Sequence, residues 1–128
     1  MANSPPRPTE GQLEILAVLW DRGPSTVREV HEVLSAAKPT GYTTVLKLMQ
    51  IMAEKGLVRR DESTRAHLYE ARQPMEQTQR QILRHLLDRA FAGSASRLVM
   101  QALASRKASA EELAEIRQMV ESLERNAV

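Results

Sequence analysis

The chain has no cysteine among its 128 residues, which excludes disulfide scaffolding and thiolate metal sites. Aromatic residues make up 3% of it, one Trp, two Tyr and one Phe, so an aromatic-lined effector pocket is not expected. Long apolar runs are missing as well. The stretch Leu13 to Trp20 is interrupted by Glu14 and falls far short of the ~20 residues that a bilayer-crossing helix needs. The opening Met-Ala-Asn-Ser-Pro-Pro-Arg-Pro contains no hydrophobic signal segment, so a cytoplasmic location is the expectation. There is no phosphate-binding Gly loop, no nucleophile elbow and no His/acid cluster at catalytic spacing, and an enzyme is not expected. His31, His67 and His85 are too scattered to suggest a ligand cluster and read as ordinary surface or groove residues, so neither metal nor cofactor is implied.

What is present is unevenly placed charge. The formal net charge is only +2. Between Lys38 and Arg72 there are seven Lys/Arg against four acids, while between Lys107 and Val128 there are three against five. A basic middle and an acidic end point to one nucleic-acid face and one face for something else. The length suits one domain, or one domain with a small appendage.

In chain order, a Pro-rich arm over 1–8 is expected to be flexible. Thr9-Glu10-Gly11-Gln12 fits a capping box, and Leu13, Leu16, Ala17 and Trp20 form an apolar helical face that ends near Arg22-Gly23-Pro24. Thr26-Val27-Arg28-Glu29 is a second capping box, opening a helix with Val27, Val30 and Leu34 on one side; Lys38-Pro39 ends it, because a residue before proline is pushed out of the helical region. A third helix is predicted over 40–56. Val45, Met49 and Met52 recur at i, i+4, i+7, and Gly56 follows Lys55 as a left-handed stop after a last-turn cation. Its opposite face carries Thr40, Thr43, Thr44 and Lys47, with Gln50 near the edge, and no acid before Glu54. Short hydrogen-bonding side chains and one cation suit a DNA major groove. Residues 57–60 and 67–70 then read as two short strands joined by the polar tip 61–66, a hairpin wing spanning 57–71. Three helices followed by a hairpin is the winged helix-turn-helix order, with the third helix as the reader. An αββ piece of a small α/β domain with a solvated charged face has the same outline.

The second half differs in kind. Pro74 stands where a helix begins, and Ile82, Leu83, Leu86, Leu87, Ala90 and Phe91 form a broad apolar stripe. Gly93-Ser94-Ala95-Ser96 interrupts it, and Leu98, Val99, Ala102 and Leu103 make a shorter helix. A third capping box, Ser109-Ala110-Glu111-Glu112, opens a last helix with Leu113, Ile116, Val120 and Leu123 at heptad-like spacing. Such faces have little of their own to cover, so a second copy is expected to cover them. The fold class is therefore mainly α with a small β-hairpin wing: an arm at 1–8, a winged-helix DNA-binding domain at 9–73 and a helical dimerisation domain at 74–128.

Tyr42-Thr43-Thr44-Val45, Glu54-Lys55-Gly56-Leu57-Val58-Arg59-Arg60 and Ala66-His67-Leu68-Tyr69, in that order, resemble the penicillinase-repressor family, the BlaI/MecI-like proteins with the copper-responsive CopY repressors as relatives. The likeness extends from Thr9 through Leu19-Trp20 to Ser96-Arg97-Leu98-Val99 and the terminal Glu-Glu-Leu helix. It implies a winged-helix repressor that dimerises through its C-terminal helices and binds a palindromic operator. The family's reading helix falls on Tyr42 to Met52. The resemblance departs at Leu48 and Ile51, where relatives commonly carry Thr and Arg. Lys47 is then expected to compensate by one turn, and Leu48 or Ile51 to meet thymine methyls. In the wing, Arg65 and His67 are the expected phosphate contacts, with Arg59 and Arg60 in support. The resemblance further implies release by a membrane sensor-protease of the β-lactam-sensing type. Its Asn-Phe cleavage pair corresponds here to Gln101-Ala102, and the lost Phe lowers the expected protease specificity or shifts release to another route. The copper branch needs C-terminal cysteines that this chain lacks. Two other classes stay open: a winged-helix regulator of another family released by a small molecule, and a protein-interaction module without a DNA role.

Overall fold

The computed structural model describes residues 6–127. The flexibility expected of 1–5 lies outside the described residues, and Pro8, at the end of the same arm, is buried. The described residues form α1 (Glu10–Arg22), α2 (Val27–Ala37), α3 (Tyr42–Lys55), β1 (Val58–Asp61), β2 (Leu68–Ala71), α4 (Met75–Ala90), α5 (Ala95–Ser105) and α6 (Ala110–Arg125). This is the mainly α fold with an antiparallel wing, a winged helix followed by a helical C-terminal region. No described helix is long and apolar enough to cross a membrane.

The ends of the helices are set locally. All three capping boxes form: the hydroxyls of Thr9, Thr26 and Ser109 accept from the backbone N–H of Gln12, Glu29 and Glu112, whose side chains reach back to the cap N–H. Each removes two orphan donors from a helix start, and losing such a cap costs about 1 kcal/mol. Lys38, before Pro39, is extended at φ −157°, ending α2, and Gly56 closes α3 in the left-handed region at φ 82°, ψ 16°.

The first helix packs differently from its expected face. Its buried residues are Gln12, Ile15, Leu16, Val18 and Leu19, whereas Leu13 and Trp20 are half-buried and Ala17 is exposed. Leu13 to Trp20 is apolar on almost every side, so periodicity left the choice open. Contact with α2, α3 and β2 made it. Apart from Pro8, the buried apolar residues among those described fall between Ile15 and Tyr69 and form one cluster, with Ile15, Val30, Met49 and Met52 fully enclosed.

The wing pairs Val58 with Ala71, Arg59 with Glu70, Arg60 with Tyr69 and Asp61 with Leu68. A third segment joins it. Ser25, fully buried, donates its N–H to the Tyr69 carbonyl at 2.9 Å and accepts from the Tyr69 N–H at 2.8 Å, while its hydroxyl donates to the Gly23 carbonyl at 2.9 Å. The α1–α2 connection thereby covers the free edge of β2.

The chain divides into two compact units between Leu83 and Arg84, inside α4. In the second unit α4 ends at two consecutive left-handed residues, Ala92 at φ 50° and Gly93 at φ 80°, and Ser94 then caps α5 by accepting from the Arg97 N–H. Neither α5 nor α6 contains a buried residue.

Candidate nucleic-acid interface

The helix α3 is fixed from behind and free in front. Val45, Met49 and Met52 are buried in the core, so the opposite side of α3 faces out. Tyr42, Thr43, Thr44, Lys47 and Gln50 are exposed there, with Thr40 and Ile51 half-buried at its margins. No acid lies in the first turn, and no side chain caps Gly41. The helix thus presents free backbone N–H groups and a positive dipole end beside its hydroxyls, an arrangement that favours phosphate. Leu48 corrects one expectation. It is partly buried against the core, and a Cβ placed on Gly11 would stand 3.6 Å from Leu48 Cδ1. Its methyls serve packing against α1 rather than a groove.

A polar latch sets where α3 begins. His31 Nε2 lies 2.7 Å from the Thr40 carbonyl oxygen, and since a carbonyl only accepts, that nitrogen carries the hydrogen. The Ser35 hydroxyl donates to the same carbonyl at 3.2 Å, and the Thr40 hydroxyl donates to the Lys38 carbonyl at 2.9 Å. The His31 ring also meets Tyr42 edge-on, with centroids 5.5 Å apart. Read from the sequence as an ordinary surface or groove residue, His31 instead ties α2 to the entry of α3 and orients Tyr42. Sequence spacing held no signal for it, because the contact joins the two sides of a turn.

The wing sorts its cations into held and free ones. Arg59 pairs with Glu70 at 3.2 Å across the strands, and Arg60 with Glu62 at 2.6 Å. The Tyr69 hydroxyl, followed by the Glu62 charge, holds Arg60 in its charged form, raising its pKa. Arg60 thus serves the wing's own structure. Arg65 and His67 stand exposed at the tip, whose turn is closed by Asp61 accepting from the Ser63 N–H at 2.9 Å and by the Thr64 hydroxyl donating to the Ala66 carbonyl at 2.7 Å. Those bonds from Ser63, helped by the nearby His67, hold the Asp61 carboxyl below its ordinary pKa. Among the described residues Lys47, Arg65 and Arg72 enter no ion pair. Arg72 was absent from the predicted site. Its backbone N–H donates to the Leu57 carbonyl at 3.1 Å, closing the base of the wing. Its side chain lines an open polar groove of about 720 Å³ between α3 and the hairpin, with Gln50, Arg59 and Arg60 and with Glu54 and Glu62.

A family model described as penicillinase repressor matches residues 8–122. The chain belongs to the penicillinase repressor family. Among its curated relatives are two proteins named "Transcriptional regulator BlaI", from Mycobacterium tuberculosis strains CDC 1551/Oshkosh and ATCC 25618/H37Rv. Each is 47% identical over 62 residues, which cover 46% of this chain and 45% of the relative. The match thus spans less than half the length of those relatives. Within the family assignment, the residues expected at the cleavage position, Gln101 and Ala102, are exposed on α5. The residues expected at the dimer face are Leu83, Leu87, Phe91, Leu98, Leu103, Leu113, Ile116, Val120 and Leu123. All are half-buried or exposed, Leu83 at 48%, Leu113 at 41%, Val120 at 48% and Leu123 at 57%.

Proposed function

We propose that this chain is a transcriptional repressor that binds a palindromic DNA operator as a homodimer, reading it with residues 40–56 and gripping it with the 57–71 wing. The observation that carries this is the outward face of α3, with no acid before Glu54 and with Tyr42, Thr43, Thr44 and Lys47 exposed over a buried Val45-Met49-Met52 stripe. Thr43, Thr44, Gln50 and Ile51 are the base-facing candidates, while Thr40, Tyr42, Lys47, Arg59, Arg65 and His67 take phosphate or sugar. Residues 9–73 are assigned to DNA and 74–128 to dimerisation. The apolar faces of α5 and α6 bury no residue within their own unit, and a second copy offers the matching surface.

Selection of bound sites from a random duplex library, followed by affinity against salt, tests this reading. A two-fold symmetric consensus with a steep salt slope is expected, since each phosphate neutralised releases counterions. Thr44→Ala should then weaken consensus binding by roughly 0.5–1.5 kcal/mol, one ordinary hydrogen bond, and leave random-sequence binding nearly intact. Uniform weak binding without a consensus would remove the repressor reading.

For release, we infer cleavage at Gln101–Ala102 by a protease coupled to a β-lactam sensor. Both residues lie inside a regular helix, so α5 unwinds locally before it is cut. Fragment masses after incubation with the sensor-protease are expected to map to that bond. A chain left intact shifts release to another route.

A further inference from the structure

A second groove lies between α1 and α4. Leu13, Ala17, Trp20 and Asp21 of α1 line it with Met75, Glu76 and Gln79 of α4. Its open volume is about 720 Å³, within the range of roughly 300–1,000 Å³ typical of small-molecule sites. These α1 residues are the ones that periodicity assigned to the core, and a chain with so few aromatics was not expected to build such a place. One tryptophan is enough because the fold fixes it. Trp20 Nε1 donates to the Gln73 carbonyl at 3.0 Å, so the indole N–H is already engaged and the ring offers its apolar surface.

Charge narrows the ligand. The lining includes two carboxylates, Asp21 and Glu76, and no Lys, Arg or His. Among the described residues neither carboxylate enters an ion pair. An anion is repelled here, and a neutral apolar molecule strips water from two carboxylates without replacing it. A cation meets both carboxylates and an indole, the best side chain for cation–π attraction, while the unbranched Met75 adapts to an apolar body. We propose that this groove binds a small organic cation, an ammonium group carried on an apolar or aromatic frame.

The test uses the whole chain and no DNA, so its outcome is independent of the repressor reading. Trp20 is the sole tryptophan and reports directly. Titration with benzyltrimethylammonium is expected to change its fluorescence saturably. Neopentylbenzene, the same shape without charge, should bind at least about tenfold more weakly, in line with a cation–π contact plus two nearby carboxylates. The Asp21→Asn/Glu76→Gln double variant should lose a similar factor for the cation while keeping the wild-type far-ultraviolet dichroism; Glu76→Gln alone, with part of that loss, serves if the double variant misfolds. No saturable signal, equal binding of the neutral isostere, or wild-type affinity in a folded variant overturns the proposal. So does a Trp20 signal that varies with protein concentration while the cation does nothing, which assigns the groove to a second copy.

Discussion

Single residues in this protein act mostly through hydrogen bonds across a turn. Glu29 is the clearest case. Its carboxylate accepts from the Thr26 N–H at 2.9 Å and stands 3.5 Å from Arg22, and first the backbone bond, then the Arg22 charge, lower its pKa. A carboxylate held low in the folded state stabilises above its unfolded pKa of about 4.3 and loses that contribution as pH falls through the folded value. Glu29→Gln keeps an oxygen for the Thr26 N–H and removes the charge. Urea midpoints of the two proteins should therefore differ more at about pH 6 than at about pH 3, which lies below the unfolded pKa. A difference that is the same at both values would leave the cap with hydrogen bonding alone. His31 works in the same local way, by fixing the Thr40 carbonyl and the Tyr42 ring at the start of α3.

Elements are joined by connections whose backbone geometry is demanding in a few places. The most demanding is the α4–α5 joint, where Ala92 holds a left-handed conformation at φ 50° beside Gly93 at φ 80°. An L-residue there loses roughly 1–2 kcal/mol to its Cβ, whereas glycine escapes that cost and forfeits about 0.5–1 kcal/mol of chain entropy. Ala92→Gly is expected to stabilise the chain by up to about 1 kcal/mol, although Ala→Gly inside a helix costs about that much. Urea unfolding gives the sign, and a clear loss would mean that the joint relaxes to an ordinary backbone. The wing is braced by different means: paired strands, the Arg59–Glu70 and Arg60–Glu62 ion pairs, and Ser25 along the outer edge of β2. The exposed ion pairs add little each, so the edge pairing and the burial of Tyr69 carry most of its rigidity.

At the scale of the molecule, apolar burial is lopsided. The core lies between Ile15 and Tyr69, and α5 and α6 contribute nothing to it. Met100 at 68%, Met119 at 62% and Leu123 at 57% exposed leave large apolar side chains in water, the kind of surface that the proposed second copy would cover. If that partner is a second copy, Leu113→Asp introduces an unpaired charge into the interface. At several kcal/mol per buried ion, the dimer constant should weaken at least about 100-fold, turning a dimer into a monomer in sedimentation equilibrium at micromolar concentration. Unchanged sedimentation would locate the interface on another face.

The local signals in the sequence were sufficient for the local structure. Thr9, Thr26 and Ser109 each start a helix with a reciprocal partner three residues on, Lys38-Pro39 and Gly56 end helices, and the change from helical to alternating period after Gly56 makes the wing. These features depend on neighbours within one turn, which a sequence displays directly. The same holds for the outward face of α3, free of acid as far as Glu54, because the buried stripe Val45-Met49-Met52 dictates what is left outside. Only the tertiary structure decided which side of the largely apolar stretch Leu13 to Trp20 enters the core, that Ser25 would bridge to the edge of β2, and that His31 and Arg72 would flank α3 and the wing. It also turned Trp20 from an expected core residue into the wall of an acidic groove. Each of those outcomes joins residues far apart in the chain or on opposite sides of a turn. Packing and partner geometry select among faces that periodicity alone leaves equivalent.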